Sequence, residues 1–192
     1  DEHGFGVDNL LIYYAGHGNW SPFLEEGFWK PIGSNDKDST GISNRFLVSI
    51  IEKLRARHII LIVDSCFSGS IFHQTDKKVV RGTIDSMPEK KEKSQMYDLF
   101  KKKNLSKARV ALTSGYLEYV PDKINEFDLH SAFAQTLIDV LTDNFQPMLS
   151  IELFVKLQQK LYDHNTDQVP VFGGIVSKSH SIGGEFIFVP VI

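Results

Sequence analysis

With 192 residues, the chain is long enough to bury one sizeable core, and 42% apolar with 23% charged residues is an ordinary globular composition. No stretch approaches the roughly 20 apolar residues of a membrane span, and Asp1-Glu2-His3-Gly4 has neither the basic start nor the apolar run of a signal peptide. The single cysteine excludes an intrachain disulfide framework and a multi-cysteine zinc site, which favours a reducing intracellular, cytoplasmic setting. The net charge of −3 is uneven: Asp76 to Lys107 holds ten Lys or Arg against five Asp or Glu, a local balance of +5 that leaves −8 for the rest. An acidic body suits a cationic ligand better than nucleic acid.

In chain order, Asn9 to Ala15 is a short apolar run closed by Gly16, and His58 to Val63 is another, closed by Asp64. Runs apolar on both faces predict central strands of a parallel sheet. Between them Ser43 or Asn44 can cap a helix from about Arg45 to Arg57, with Phe46, Leu47, Ile50, Ile51 and Leu54 at helical spacing. Strand, helix and strand make a βαβ unit with a right-handed crossover. The polar, Lys-rich stretch from His73 to Ser106 reads as a surface loop with a helical turn near Gln95 to Lys102. Arg109 to Thr113 predicts a third strand, about Ser131 to Leu141 and Ser150 to Tyr162 predict helices, and Glu185 to Val189 predicts a last strand.

His17 and Cys66 each stand just beyond the C-terminal end of a predicted parallel strand, the rim where sites form in open α/β sheets. They are 49 positions apart, which fits one βαβ unit with a long loop. Gly16 and Gly18 flank His17, and Gly69 follows Cys66, so backbone can approach closely there. Singly, a cysteine after a buried strand is most often a small hydrophobe. As a pair on matching strand ends, the two suit thiol chemistry: an imidazolium favours a nucleophilic thiolate and can protonate a leaving amine. The backbone N–H groups of Gly18 and Cys66 are candidate oxyanion donors.

Tyr13-Tyr14-Ala15-Gly16-His17-Gly18, followed by Asp64-Ser65-Cys66-Phe67-Ser68-Gly69, resembles the caspase-like cysteine peptidases, specifically metacaspases and their bacterial relatives. Weaker echoes are Gly27-Phe28-Trp29-Lys30-Pro31, Thr113-Ser114-Gly115, His130-Ser131-Ala132-Phe133 and Gly183-Gly184-Glu185-Phe186. The pattern departs from animal caspases, because Asp64-Ser65 stands where Gln-Ala would. The resemblance implies an α/β fold, a three-layer sandwich with a mostly parallel central sheet. It also implies that the first strand, helix and second strand precede this segment or lie on another chain. Residues 1–72 would then be a large-subunit-like part, 73–107 a basic linker and 108–192 a small-subunit-like part. In the metacaspases an aspartate at the position of Asp64 lines the pocket for the residue before the cut bond, so the resemblance implies preference for Arg or Lys. Glu118 is a candidate second acid, Asp122 a weaker one, and Trp29 a candidate groove wall. Arg81, Lys90, Lys91 and Lys93 are candidate self-cleavage points.

The expected activity is therefore a Cys–His endopeptidase acting on protein or peptide, possessing no metal site and requiring no cofactor. Many metacaspases respond to calcium, yet no EF-hand-like acidic loop is present, and Asp36-Lys37-Asp38 is too slight to make one. Two other readings compete: a non-catalytic caspase-like scaffold, against which retention of both residues argues, and a nucleotide-binding domain. The latter lacks both G-x-G-x-x-G and a Walker loop.

Overall fold

The computed structural model describes residues 9–34, 40–72, 93–116, 129–164, 168–175, 179–181 and 183–190. Its centre is a four-stranded sheet of β1 (Asn9–Ala15), β5 (His58–Asp64), β6 (Ala108–Thr113) and β8 (Val171–Gly174), in the order β1-β5-β6-β8. β1, β5 and β6 run parallel and β8 is antiparallel. Every residue of β5 and β6 is buried, as the continuous apolar runs require of strands covered on both faces.

Helices cover the two faces. α1 (Asn44–Lys53) packs Val48, Ile51 and Leu54 against Ile59, Leu61 and Val63 of β5. α3 (Ala132–Thr142) and α4 (Ser150–Asp163) lay Phe133, Leu137, Leu153, Phe154 and Leu157 against Ile60, Ile62, Val110 and Leu112. The result is the expected three-layer α/β sandwich with a mostly parallel sheet. Alternation along β5 sorts its side chains between these cores: Ile60, Ile62 and Asp64 face α3 and α4, while Ile59, Leu61 and Val63 face α1.

Ser43 caps α1 by accepting from Phe46 N–H at 3.2 Å. The helix stops at Lys53, short of the expected Arg57: Leu54 turns extended at ψ 138°, and buried Arg109 bonds carbonyls of the segment that follows. Its guanidinium donates to Leu54 O, Ala56 O, Arg57 O and Ala108 O at 2.8–3.0 Å. The polar stretch is more ordered at its end than a loop: α2 (Lys93–Leu105) replaces the single helical turn, with Lys102 and Lys103 complementing the dipole of its last turn.

Three further features differ from expectation. β2 (Gly18–Ser21), β3 (Glu26–Trp29) and β4 (Ile42–Ser43) form a separate antiparallel sheet directly after His17. β8 is a strand that carries little periodicity to announce it. The last strand is shortened to β9 (Ile187–Phe188) and pairs with β7 (Met148–Leu149) outside the central sheet.

Candidate active site

β1 and β5 are neighbours in register, with Ala15 opposite Asp64, so the residues that follow them emerge on one rim. Gly16 N–H donates to Asp64 O at 3.2 Å and continues the pairing past the strand end. His17 lies between β1 and β2 and is exposed. Its carbonyl oxygen accepts from Lys30 N–H at 2.9 Å and from the Tyr14 hydroxyl at 2.8 Å. Tyr14 in turn stacks on Trp29, with centroids 4.1 Å apart and planes 9° apart. Burial pushes the Tyr14 phenol up, which keeps it a donor. Trp29, expected at a substrate groove, is thus placed behind the His17 loop and packs against the α1-side core.

Cys66 sits in the turn after β5, 8% exposed. Ser65 N–H donates to Ser114 Oγ at 3.2 Å, and Gly69 N–H donates to Tyr116 O at 2.9 Å. The turn is therefore tied to the segment leaving β6. Phe67 adopts a φ of 58°, in the left-handed region that costs a side-chain-bearing residue about 1–3 kcal/mol. Surrounding bonds must hold it there: Ser70 N–H and Ser70 Oγ both donate to Phe67 O, at 3.1 and 2.6 Å.

The two loops touch. A Cβ on Gly18 would stand 2.0 Å from Cys66 O and 2.6 Å from Ser65 Oγ, so only glycine permits this approach. That contact sets Gly18, the residue after His17, against the Cys66 backbone. A cleft of about 790 Å³ opens beside His17, lined among others by Tyr14, Asn19, Lys30, Pro31 and Ser34.

Asp64 ends β5, buried at 8% exposure on the α3 side. Its carboxylate accepts from the Ser131 hydroxyl, which also caps α3 by accepting from Ala134 N–H at 2.9 Å. The carboxylate therefore lies at the positive end of a helix. Tyr13, on the same sheet face, is a second neighbour: burial, then the Asp64 charge and a hydrogen bond to it, push the phenol up to about 12. Tyr13, Tyr14, Ser114 and Ser131 entered the sequence reading only within motif stretches, with no role assigned, and Ser70 did not enter it. Glu118, Asp122, Arg81, Lys90 and Lys91 lie outside the described residues, and Lys93 is the first residue of α2. Among the described residues no group of three or more His, Cys, Asp or Glu side chains could hold a metal ion, and no helix is long and apolar enough to cross a membrane.

A parallel α/β sandwich carrying a histidine loop and a cysteine turn on adjacent strand ends has the architecture of a caspase-like fold. The chain belongs to the caspase domain family, whose model matches residues 2–178, and that family consists generally of cysteine peptidases. No curated protein matches the chain. The crystal structure of protein GSU0716 from Geobacter sulfurreducens is similar at 16% identity and a TM-score of 0.46, over 87% of this chain and 66% of that one. This chain thus spans just under two thirds of that protein's length.

Proposed function

We propose that the protein is a cysteine endopeptidase in which Cys66 is the nucleophile and His17 the acid–base partner, cutting after Arg or Lys. The observation that carries this reading is the contact of Gly18 with the Cys66 carbonyl, which fastens the histidine loop to the cysteine turn on one rim. In the reaction, the Cys66 thiolate attacks the scissile carbonyl carbon and the carbonyl electrons move to oxygen. The N–H groups of Gly18 and Cys66 receive that oxyanion. Collapse breaks the C–N bond, and protonated His17 gives its proton to the leaving amine. Neutral His17 then takes a proton from water, whose oxygen attacks the thioester. Loss of the thiolate releases the acid and restores the pair.

Asp64 supports the choice of a basic residue. Its carboxylate is buried two residues before Cys66, bonded to Ser131 and Tyr13, and its negative charge favours a cationic side chain over an anionic one. An Asp in the same pocket would place two like charges in a poorly solvated site. Glu118 is proposed as a second pocket acid, and Trp29 acts by bracing Tyr14 rather than by touching substrate. We assign residues 1–72, 73–107 and 108–192 to large-subunit-like, linker and small-subunit-like parts, with self-cleavage at Arg81, Lys90 or Lys91. Lys93 is the poorer cut point, since a protease engages extended chain and Lys93 opens a helix. Among the described residues β1 ends the sheet order β1-β5-β6-β8 and pairs on one side only, so its other edge suits a further strand supplied by an upstream segment or a second chain.

The test uses matched fluorogenic peptides ending in Arg, Lys or Asp, with the full chain kept reduced. Turnover of the Arg and Lys peptides alone is expected. Equal turnover of all three would remove the role given to Asp64, and turnover of none would favour the non-catalytic scaffold.

A further inference from the structure

Behind the Cys66 turn lies a buried polar cluster that the reaction does not use. The Ser70 hydroxyl has one proton, which it donates to Phe67 O at 2.6 Å. Its oxygen therefore serves as acceptor for Asn44 Nδ2, 2.8 Å away. Ser70 and Asn44 are 2% and 3% exposed. Gly27 makes the room: a Cβ there would stand 1.9 Å from Ser70 Oγ and 2.7 Å from Asn44 Nδ2.

The cluster joins three parts of the site. Gly27 is in the hairpin that follows His17, Asn44 opens α1, and Ser70 is in the 3-10 turn (Ser68–Phe72) that follows Cys66. Asn44 Oδ1 is buried with no hydrogen-bond partner. An apolar residue would avoid that cost, so what the amide gains must come from its N–H on Ser70. That bond orients the hydroxyl toward Phe67 O, and Phe67 is the residue whose left-handed backbone needs holding.

We propose that Asn44 and Ser70 are positioning residues that hold the turn after Cys66 left-handed and so aim the thiol at the substrate carbonyl. The proposal rests on the peptidase reading above. Both residues act through the Phe67 carbonyl and neither touches substrate, so their loss should fall on kcat and spare KM.

The experiment measures kcat and KM on the Arg reporter for the full chain, Ser70→Ala, Asn44→Ala and both together. Val140→Ala, a buried α3 residue away from the cluster, is the control of matched or greater loss in Tm. Ser70→Ala should lower kcat at least about tenfold with KM within about twofold. Asn44→Ala leaves the Ser70–Phe67 bond in place and should lose about three- to tenfold; it carries the test if Ser70→Ala fails to fold. The double variant should be no worse than Ser70→Ala, since both act through one carbonyl. An active wild type with unchanged kcat in these variants overturns the proposal alone, as does an equal kcat loss in Val140→Ala. A wild type that turns over no reporter overturns the peptidase reading, and the positioning role with it.

Discussion

Gly18→Ala tests the contact that joins the two halves of the site. The added Cβ would stand 2.0 Å from the Cys66 carbonyl oxygen, whereas such carbons essentially never approach closer than 3.0 Å, so the loops must part by about 1 Å. The obstruction is backbone, and it cannot swing aside as the tip of a side chain can. A displacement of about 1 Å between catalytic groups costs about 10²-fold in rate, or about 2.7 kcal/mol of barrier. Overpacking should also take about 1–3 kcal/mol from stability, a drop of about 2–10 °C in Tm. The assay is kcat/KM on the Arg reporter beside a thermal melt. Gly16→Ala is the milder comparison, because its Cβ would meet the Tyr14 side chain, at 2.9 Å from the hydroxyl and 3.0 Å from the ring, rather than backbone, and should cost less than about tenfold. Gly18→Ala activity within about threefold of wild type, in a folded protein, would refute the claim that the contact sets the geometry.

Asp64→Asn should lower kcat/KM on the Arg reporter at least about 30-fold, the cost of stripping a buried cation of its carboxylate, and should lower the Tyr13 titration, now near 12, as read by tyrosinate absorbance. Arg109→Met removes four hydrogen bonds to carbonyls and should cost about 3 kcal/mol or more in chemical denaturation, since those acceptors stay buried. Burial and the nearby Arg109 charge hold the His180 imidazole below its ordinary 6.5, and its Nδ1 accepts from Arg109 N–H. The unfolded chain therefore binds the proton more readily: the contribution of neutral His180 is full above about pH 6.5 and is lost as pH falls below it. His180→Gln should flatten that slope between pH 7 and 5. Incubated wild type should divide in the 73–107 stretch by gel and mass spectrometry, while Cys66→Ala stays whole; identical behaviour of the two would remove self-processing.

The parallel core was legible because β5 and β6 are buried on both faces and read as unbroken apolar runs. α1 was legible through its Ser43 cap and helical spacing, and α3 and α4 lie close to the helices expected at about Ser131 to Leu141 and Ser150 to Tyr162. The hairpin after His17 was not: Gly18-Asn19-Trp20-Ser21 has little alternation, and tertiary contacts such as the Tyr14–Trp29 stack hold it. β8, Val171-Phe172-Gly173-Gly174, ends in two glycines that oppose strand propensity, and its place is set by the pairing of Val171 with Thr113 and Phe172 with Leu112. Within the site, His17 and Cys66 stood out by their positions just beyond strand ends, and Asp64 through the resemblance to metacaspases. Tyr13 did not, because its role depends on the register of β1 on β5, which brings it to the face of Asp64. Ser70 and Asn44 were silent for the same reason, being 26 positions apart in sequence and joined only in the fold.

The central claim is that Cys66 and His17 act as one nucleophilic pair, and active-site labelling tests it most directly. A peptidyl-arginine chloromethyl ketone, whose peptide part delivers an alkylating carbon to the nucleophile beside the substrate pocket, would be added to the full chain and the adduct located by mass spectrometry. One equivalent on Cys66 is predicted, slowed at least about 10²-fold in His17→Ala and absent when the arginine of the probe is replaced by aspartate. Labelling of Cys66 at the same rate without His17, or no labelling in a folded and reduced protein, would contradict it.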